Sequence, residues 1–441
     1  MREAFNGWPL VRGAWQVPYA PPCGYCARVN ERRVRPTGVD CVMGSGLGNV
    51  LRILMSLYNQ VGRGTYWRAL ALAQELSARG HELTILAISP QRRWGFDVRS
   101  VAGVTVVETP DLFSGSLRSG WDPWDVLARI GWLRTRTFDL VHTFENRPVA
   151  LLPALYLHWR WGIPLVSDWC DWFGRGGSVE ERPNPLVRSV LRGVETFFEE
   201  VPRRHADGIT VINRVLHQKA TDLGVPPQRI LLLPNGANVR DIVPGDRAEA
   251  RRKLGLPADV LLIAYTGAIF RRDAHLMAAA FDQVYHARPD ARLLMVGYCN
   301  VALEDLVQAS EAVIRSGPIS YRALNEYLAA CDLGWLPLSD SGANRGRSPL
   351  KLNDFLAAGR AVVATDVGDL RSLMQRGAVG CLAPAQPGPL AQAVLDLLTD
   401  DAERDQLAAN ARNLAERELA WSKMAGLLEA FYGQVREQKT P

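Results

Sequence analysis

From Val50 onward, short apolar runs alternate with stretches of helical periodicity. The runs "VLRILMSL", "ELTILAI", "VTVVE", "DLVHTF", "PLVSDW", "GITVI" and "RILLLP" read as strands, and "TYWRALALAQELSARG" between the first two reads as an amphipathic helix. After "PNGANVRDIVPGD" the alternation begins again with "VLLIAYTGAI", a helix from Ala274, "ARLLMVG", "LGWLPL", a helix around Leu352 and "AVVATD". Apolar strands separated by helices indicate parallel sheets covered on both faces. Two such series joined by a Pro/Gly-bearing link near 234–245 predict an α/β protein of two Rossmann-like doubly wound domains facing across a cleft. The expected division is 50–240, 241–418, and a C-terminal helix over 419–435, "AWSKMAGLLEAFYGQV" within it, that returns to the first domain. Residues 1–49 carry no periodic apolar pattern and read as a disordered or artefactual extension, with Met43 and Met55 as alternative starts.

Length and composition narrow this picture. A chain of 441 residues exceeds the roughly 250–300 at which single cores stop growing. With 47% hydrophobic and 22% charged residues it has a globular composition, and no apolar run reaches the roughly 18 residues of a membrane span. The seven cysteines are scattered, and only Cys23 and Cys26 form a CxxC, which excludes a disulfide framework and a four-cysteine zinc site and fits a reducing cytoplasm. Only five of the 51 cationic residues are lysine, so a lysine is more informative here than an arginine. The net charge of +5 favours anionic partners, a membrane surface among them, but no continuous basic stripe suggests nucleic acid.

The candidate chemistry lies at strand ends. Gly62 and Gly64 follow the first strand and open a helix, an arrangement that reads either as a simple turn or as a backbone approach to a phosphate or sugar. Gly267 ends the first strand after the link and is followed by Arg271 and Arg272, which suit a pyrophosphate. In "SPLKLNDFLAAGRAVVATDVGD", Pro349 predicts a helix beginning near Ser348, with Lys351 and Asp354 about one turn apart on one face. In "SDWCDWFGRGG", Asp168, Trp169, Asp171 and Trp172 interleave acids and aromatics just before a glycine-rich loop. Eight of the thirteen tryptophans lie between Trp94 and Trp172 and most of these read as core, whereas Trp169 and Trp172 suit the C–H face of a sugar or the boundary layer of a membrane. No HExxH, DxD or clustered His/Asp set points to a metal, and no nucleophile–base pair is apparent.

The order "NQVGRGTYWRALALAQELSARGHELTIL", "FDLVHTFE", "ADGITVIN", "RILLLPNGAN", "AYTGAI", "LLMVG", "CDLGWLPL" and "SPLKLNDFLAAG" resembles the retaining glycosyltransferases of family four, whose GT-B fold consists of two facing Rossmann-like domains. The resemblance covers about residues 50–435. It implies sugar transfer from a nucleotide-diphosphate sugar to an unidentified acceptor, with retention, no metal and no cofactor. The non-transferring alternatives are a GT-B relative that only binds sugar nucleotide or a protein partner, and a nucleotide-sugar epimerase. Within it Gly62, Gly64, Gly267, Arg271, Lys351 and Asp354 correspond to the donor site. Asp354 stands where the family has a ribose-binding glutamate, and Lys351 substitutes for a phosphate-binding lysine whose position holds Leu276. His142, Glu145, Trp169 and Trp172 are the expected acceptor side, with Arg271, Lys351, Asp168 and Asp171 assisting the chemistry. His142 reads equally as a packed strand-end histidine. The sequence departs from the family at Leu276, at Gly346 in place of a second glutamate, and at Phe144 in place of a second histidine. The expected location is cytoplasmic, with peripheral contact at the inner membrane face.

Overall fold

The computed structural model describes residues 50–113 and 120–439; the extension expected over 1–49, with its Cys23–Cys26 pair, lies outside the described residues. Two sheets organise the chain. The first contains β1 (Arg52–Gln60), β2 (Glu82–Ile88), β3 (Asp97–Val101), β4 (Val104–Thr109), β5 (Leu140–Phe144), β6 (Leu165–Trp169), β7 (Gly208–Val211) and β8 (Ile230–Leu232), in the order β3-β4-β2-β1-β5-β6-β7-β8. The second contains β9 (Leu261–Thr266), β10 (Ala291–Val296), β11 (Val313–Gly317), β12 (Leu333–Leu336), β13 (Val362–Thr365) and β14 (Gly380–Ala383), in the order β11-β10-β9-β12-β13-β14. Every pairing is parallel except the β3–β4 hairpin.

The apolar runs become strands because helices cover both faces of each sheet. Along β1, Ile53, Met55 and Leu57 enter one core while Leu54 enters the other, the two-residue alternation of extended chain. Leu262 and Ala264 divide from Ile263 and Tyr265 in the same way in β9. The hydrophobic pattern does not mark β3, β11 or β14. All three are short edge strands with polar or half-exposed residues, as in "DVRSV", so no continuous apolar run announces them.

The C-terminal helix Trp421–Lys439 places Met424, Leu428, Phe431 and Tyr432 in the core that also contains the Tyr66–Ala78 helix and β1. Just before it, Ala237 and Ala420 form an isolated parallel bridge. Among the described residues no helix is long and apolar enough to cross a membrane.

In each sheet the strand order reverses beside the strand that comes first in sequence, at β1/β5 in the first and β9/β12 in the second. Open parallel sheets bind ligands outside the carboxyl ends of the strands at such points. The loops after β1, β5, β9 and β12 are therefore where a site is to be sought.

Candidate active site

On the second-sheet side, β9 runs into Gly267 at φ +71, a left-handed conformation suited to glycine, and an added Cβ there would meet nothing within 4 Å. The Arg271–Ala287 helix then opens at Phe270 without a side-chain cap, with Arg271 exposed at its first position. Arg272 is committed elsewhere: it donates to Ser339, Ser341 and Glu181.

The Leu350–Ala357 helix starts at Leu350, with Pro349 as its cap, slightly later than the pattern predicts. It delivers Lys351 to the Gly267 loop. The Lys351 Nζ donates to the Ala268 carbonyl at 3.0 Å and lies 3.7 Å from the Tyr265 ring centroid. Burial pushes the ammonium down to about 7. Asp354, one turn on, faces the Tyr321 hydroxyl at 3.5 Å, and burial raises its carboxyl to about 7 against the opposing pull of Tyr321 and Lys351. Leu276, where the family has lysine, packs against the core of this domain.

The first-sheet side corrects several expectations. Asp168 does not line the cleft: it is fully buried, its carboxylate accepts Arg68 Nε and Nη2 at 3.0 Å each, and Thr210 donates to it at 2.5 Å. Burial opposes its charge, but the Arg68 guanidinium outweighs burial and holds the carboxyl below its usual range. Trp169 is likewise interior, with its indole N–H on Glu199 at 2.9 Å and the Arg203 guanidinium 4.5 Å from its ring centroid. The reason is that β6 continues through Trp169, so these residues fall on the two covered faces and the loop begins only afterwards. His142 is also core: Nδ1 pairs with the Tyr432 hydroxyl at 2.7 Å and Nε2 with Thr210 at 3.3 Å, and burial lowers it to about 4, leaving it neutral.

Glu145 shapes the loop from beneath instead of meeting an acceptor. It is buried at φ +64, and its Oε1 accepts the N–H of Cys170 at 2.5 Å and of Asp171 at 2.8 Å, while Oε2 takes Arg203 at 2.9 Å. Burial outweighs Arg203 and pushes its carboxyl up to about 7.

Asp171 and Trp172 do reach the opposing domain. Asp171 meets Arg347 at 3.3 Å. A Cβ on Gly346 would come 2.5 Å from the Trp172 Cβ, so the tryptophan fills the space that the family's glutamate would need. Gly62 and Gly64 follow β1 at φ +79 and +54, left-handed conformations suited to glycine. The Gly62 carbonyl takes the Trp67 indole N–H at 3.0 Å, and Trp67 stacks on Tyr321 with ring centroids 6.4 Å apart. The sequence pattern overlooks Arg347, Trp67 and Tyr321. Arginine is too common in this chain for Arg347 to stand out, and the members of the aromatic pair are 254 residues apart.

Residues 63–236 match the glycosyl transferase 4-like domain, and residues 261–400 match the glycosyl transferases group 1 domain. The D-inositol 3-phosphate glycosyltransferase of Thermobispora bispora is 26% identical over 301 residues, covering 63% of this chain and 67% of that protein. Among solved structures, sucrose-phosphate synthase from Thermosynechococcus elongatus superposes with a TM-score of 0.72 at 20% identity, over 88% of this chain and all of the other. Anabaena HepE, solved in complex with UDP-glucose, superposes with a TM-score of 0.63 at 15% identity, over 87% of this chain and all of the other. With both family domains in order along a GT-B framework, the chain belongs to the group 1 glycosyl transferases and is a glycosyltransferase.

Proposed function

We propose that the sugar comes from a nucleotide-diphosphate sugar and passes, with retention, to an acceptor hydroxyl on the first-domain side of the cleft. The observation that carries this reading is the Lys351 ammonium at the Gly267 loop, with Asp354 one turn further along the same helix. A lysine beside an open glycine turn suits a diphosphate, and a carboxylate with free lone pairs suits ribose hydroxyls. Arg271 borders the same loop, Gly62 and Gly64 are the first-domain turn assigned to the donor, and Asp171 with Trp172 forms the acceptor side. The chain's own contribution is positioning and stabilisation of the leaving diphosphate. The reading gives no metal or cofactor a part.

Calorimetric titration with UDP, GDP, ADP and their sugars tests it. Asp354→Ala is expected to weaken the nucleotide that binds by about 1–3 kcal/mol, the range for hydrogen bonds to a charged group. Unchanged affinity would remove Asp354 from the site.

We also propose a cytoplasmic location with peripheral membrane contact. Its support is the Pro185–His205 helix, on which Leu186, Val190, Phe197 and Val201 are exposed at helical spacing beside Arg192 and Arg204. The full chain should co-sediment with phosphatidylglycerol-containing vesicles more than with pure phosphatidylcholine, and Phe197→Glu should reduce this. Equal recovery of both proteins with both vesicles refutes the contact.

A further inference from the structure

We infer that Arg347 is a second diphosphate-binding cation, held across the cleft by Asp171 until the donor displaces that carboxylate. The inference rests on the donor-site reading above and adds to it a residue and an exchange of partners.

Arg347 and Lys351 converge on one loop. The Arg347 guanidinium lies 4.0 Å over the Phe270 ring, and the Lys351 ammonium is bonded to Ala268, two residues earlier. Both cations therefore flank the open turn at Gly267. Two cations on one loop suit an anion between them, and the Arg347 charge contributes to the lowered proton affinity of Lys351 after the larger effect of burial.

The present partners of Arg347 are weak ones. Nε donates to Asp171 at 3.3 Å, Nη1 donates to the neutral Asn344 side chain at 3.3 Å, and Nη2 has no hydrogen-bond partner among the described residues. Arg345, two residues earlier, engages Asp340 with two nitrogens at 2.6 and 2.8 Å. The planar fork of an arginine is best satisfied by such paired contacts, which a diphosphate offers and Asp171 does not. Its backbone is nevertheless firmly placed, because the Asn213 side chain donates to the carbonyls of Arg345 and Arg347 at 3.0 and 3.1 Å.

Asp171 is equally placed for an exchange. Its amide is fixed on Glu145 and its neighbour Trp172 is seated on Gly346, so the carboxylate stays at the cleft when Arg347 turns away. Both side chains are about three-quarters covered, at 21% and 27% exposure, so the pair is a modest one that a doubly charged ligand outcompetes.

The test is calorimetry of the full chain with a nucleoside diphosphate, chosen as the one of UDP, GDP and ADP that binds, and with the matching nucleoside. Arg347→Met should weaken the diphosphate roughly 10- to 100-fold and leave the nucleoside unchanged, with Arg347→Lys in between. Asp171→Asn should tighten the diphosphate roughly two- to fivefold, and this gain should vanish in the Arg347→Met background. A purely structural latch predicts the opposite for Asp171→Asn, namely weaker binding. Diphosphate affinity that is indifferent to Arg347→Met, or weakened by Asp171→Asn, overturns the inference while the Lys351 site stands. If no nucleoside diphosphate binds the unaltered chain, the donor-site reading falls and takes this inference with it.

Discussion

Lys351→Met is expected to lower the rate of sugar transfer by about 10²–10³, the loss seen when one donor to a developing negative charge is removed. The diphosphate gains charge as the sugar leaves, so the ammonium beside the Gly267 loop acts more strongly in the transition state than in the bound donor. Affinity for the unphosphorylated nucleoside should not change. The same residue gives binding a pH limb. In the free chain the ammonium is pushed down to about 7, chiefly by burial, whereas an anionic ligand favours its charged form. Affinity for a nucleotide-diphosphate sugar should therefore fall as pH rises above about 7, by up to about tenfold per unit, and Lys351→Met should abolish that limb. The ligand's phosphates are diesters and stay ionised there. An acid limb should appear below about 7, where Asp354 takes up its proton. Transfer rates from initial-velocity measurements and affinities from pH 6 to 9 decide the matter: a variant with unimpaired turnover, or an alkaline limb that survives the substitution, excludes Lys351 from the phosphate site.

Arg68→Met is expected to destabilise the protein by about 3–5 kcal/mol, the cost of stranding one partner of a buried ion pair. Arg68 is 2% exposed. Besides its two bonds to Asp168, it donates to the carbonyls of Leu233 and Pro234 at 2.8 and 3.0 Å and to the Asn235 side chain at 3.1 Å. Asn235 in turn donates to the Ser348 carbonyl at 2.7 Å, and Asn353 donates to the carbonyls of Asn235 and Gly236 at 2.7 and 3.0 Å. The ion pair thus anchors the segment after β8 that is bonded to the Lys351-bearing helix. Loss of stability should be accompanied by weaker nucleotide binding. Urea unfolding followed by circular dichroism gives the answer, and a shift below about 1 kcal/mol would mean that Asp168 finds another partner.

The hydrophobic pattern was sufficient for the fold because parallel strands are buried on both faces and their helices on one, so β1, β2, β5, β6 and β9 stand out as apolar runs at the right intervals. It was silent on β3, β11 and β14, whose edge positions leave polar residues in the strand. Gly267 and the pair Lys351 and Asp354 were legible in the same local way. A strand that ends in glycine and a helix that opens with proline fix their own backbones, and spacing alone puts the two charged residues on one face.

What the sequence could not decide was which side of a strand end a residue takes and what meets it from another part of the chain. Asp168 and Trp169 follow an apolar run just as cleft residues would, yet β6 continues through them and the Pro185–His205 helix supplies Glu199 and Arg203 to receive them in the interior. His142 needed Tyr432, on the last helix, to become a neutral core residue. Gly346 looks like a lost glutamate until Trp172 is found in its place, and Arg347 is one arginine among many until Asp171 and Phe270 surround it. Local backbone preference and periodicity are properties of neighbours in sequence and determined the two sheets and the turn at Gly267. Burial, ion pairing and proton affinity depend on groups carried by separate elements, from 30 residues apart for Trp169 and Glu199 to 290 for His142 and Tyr432, and only tertiary packing brought those together.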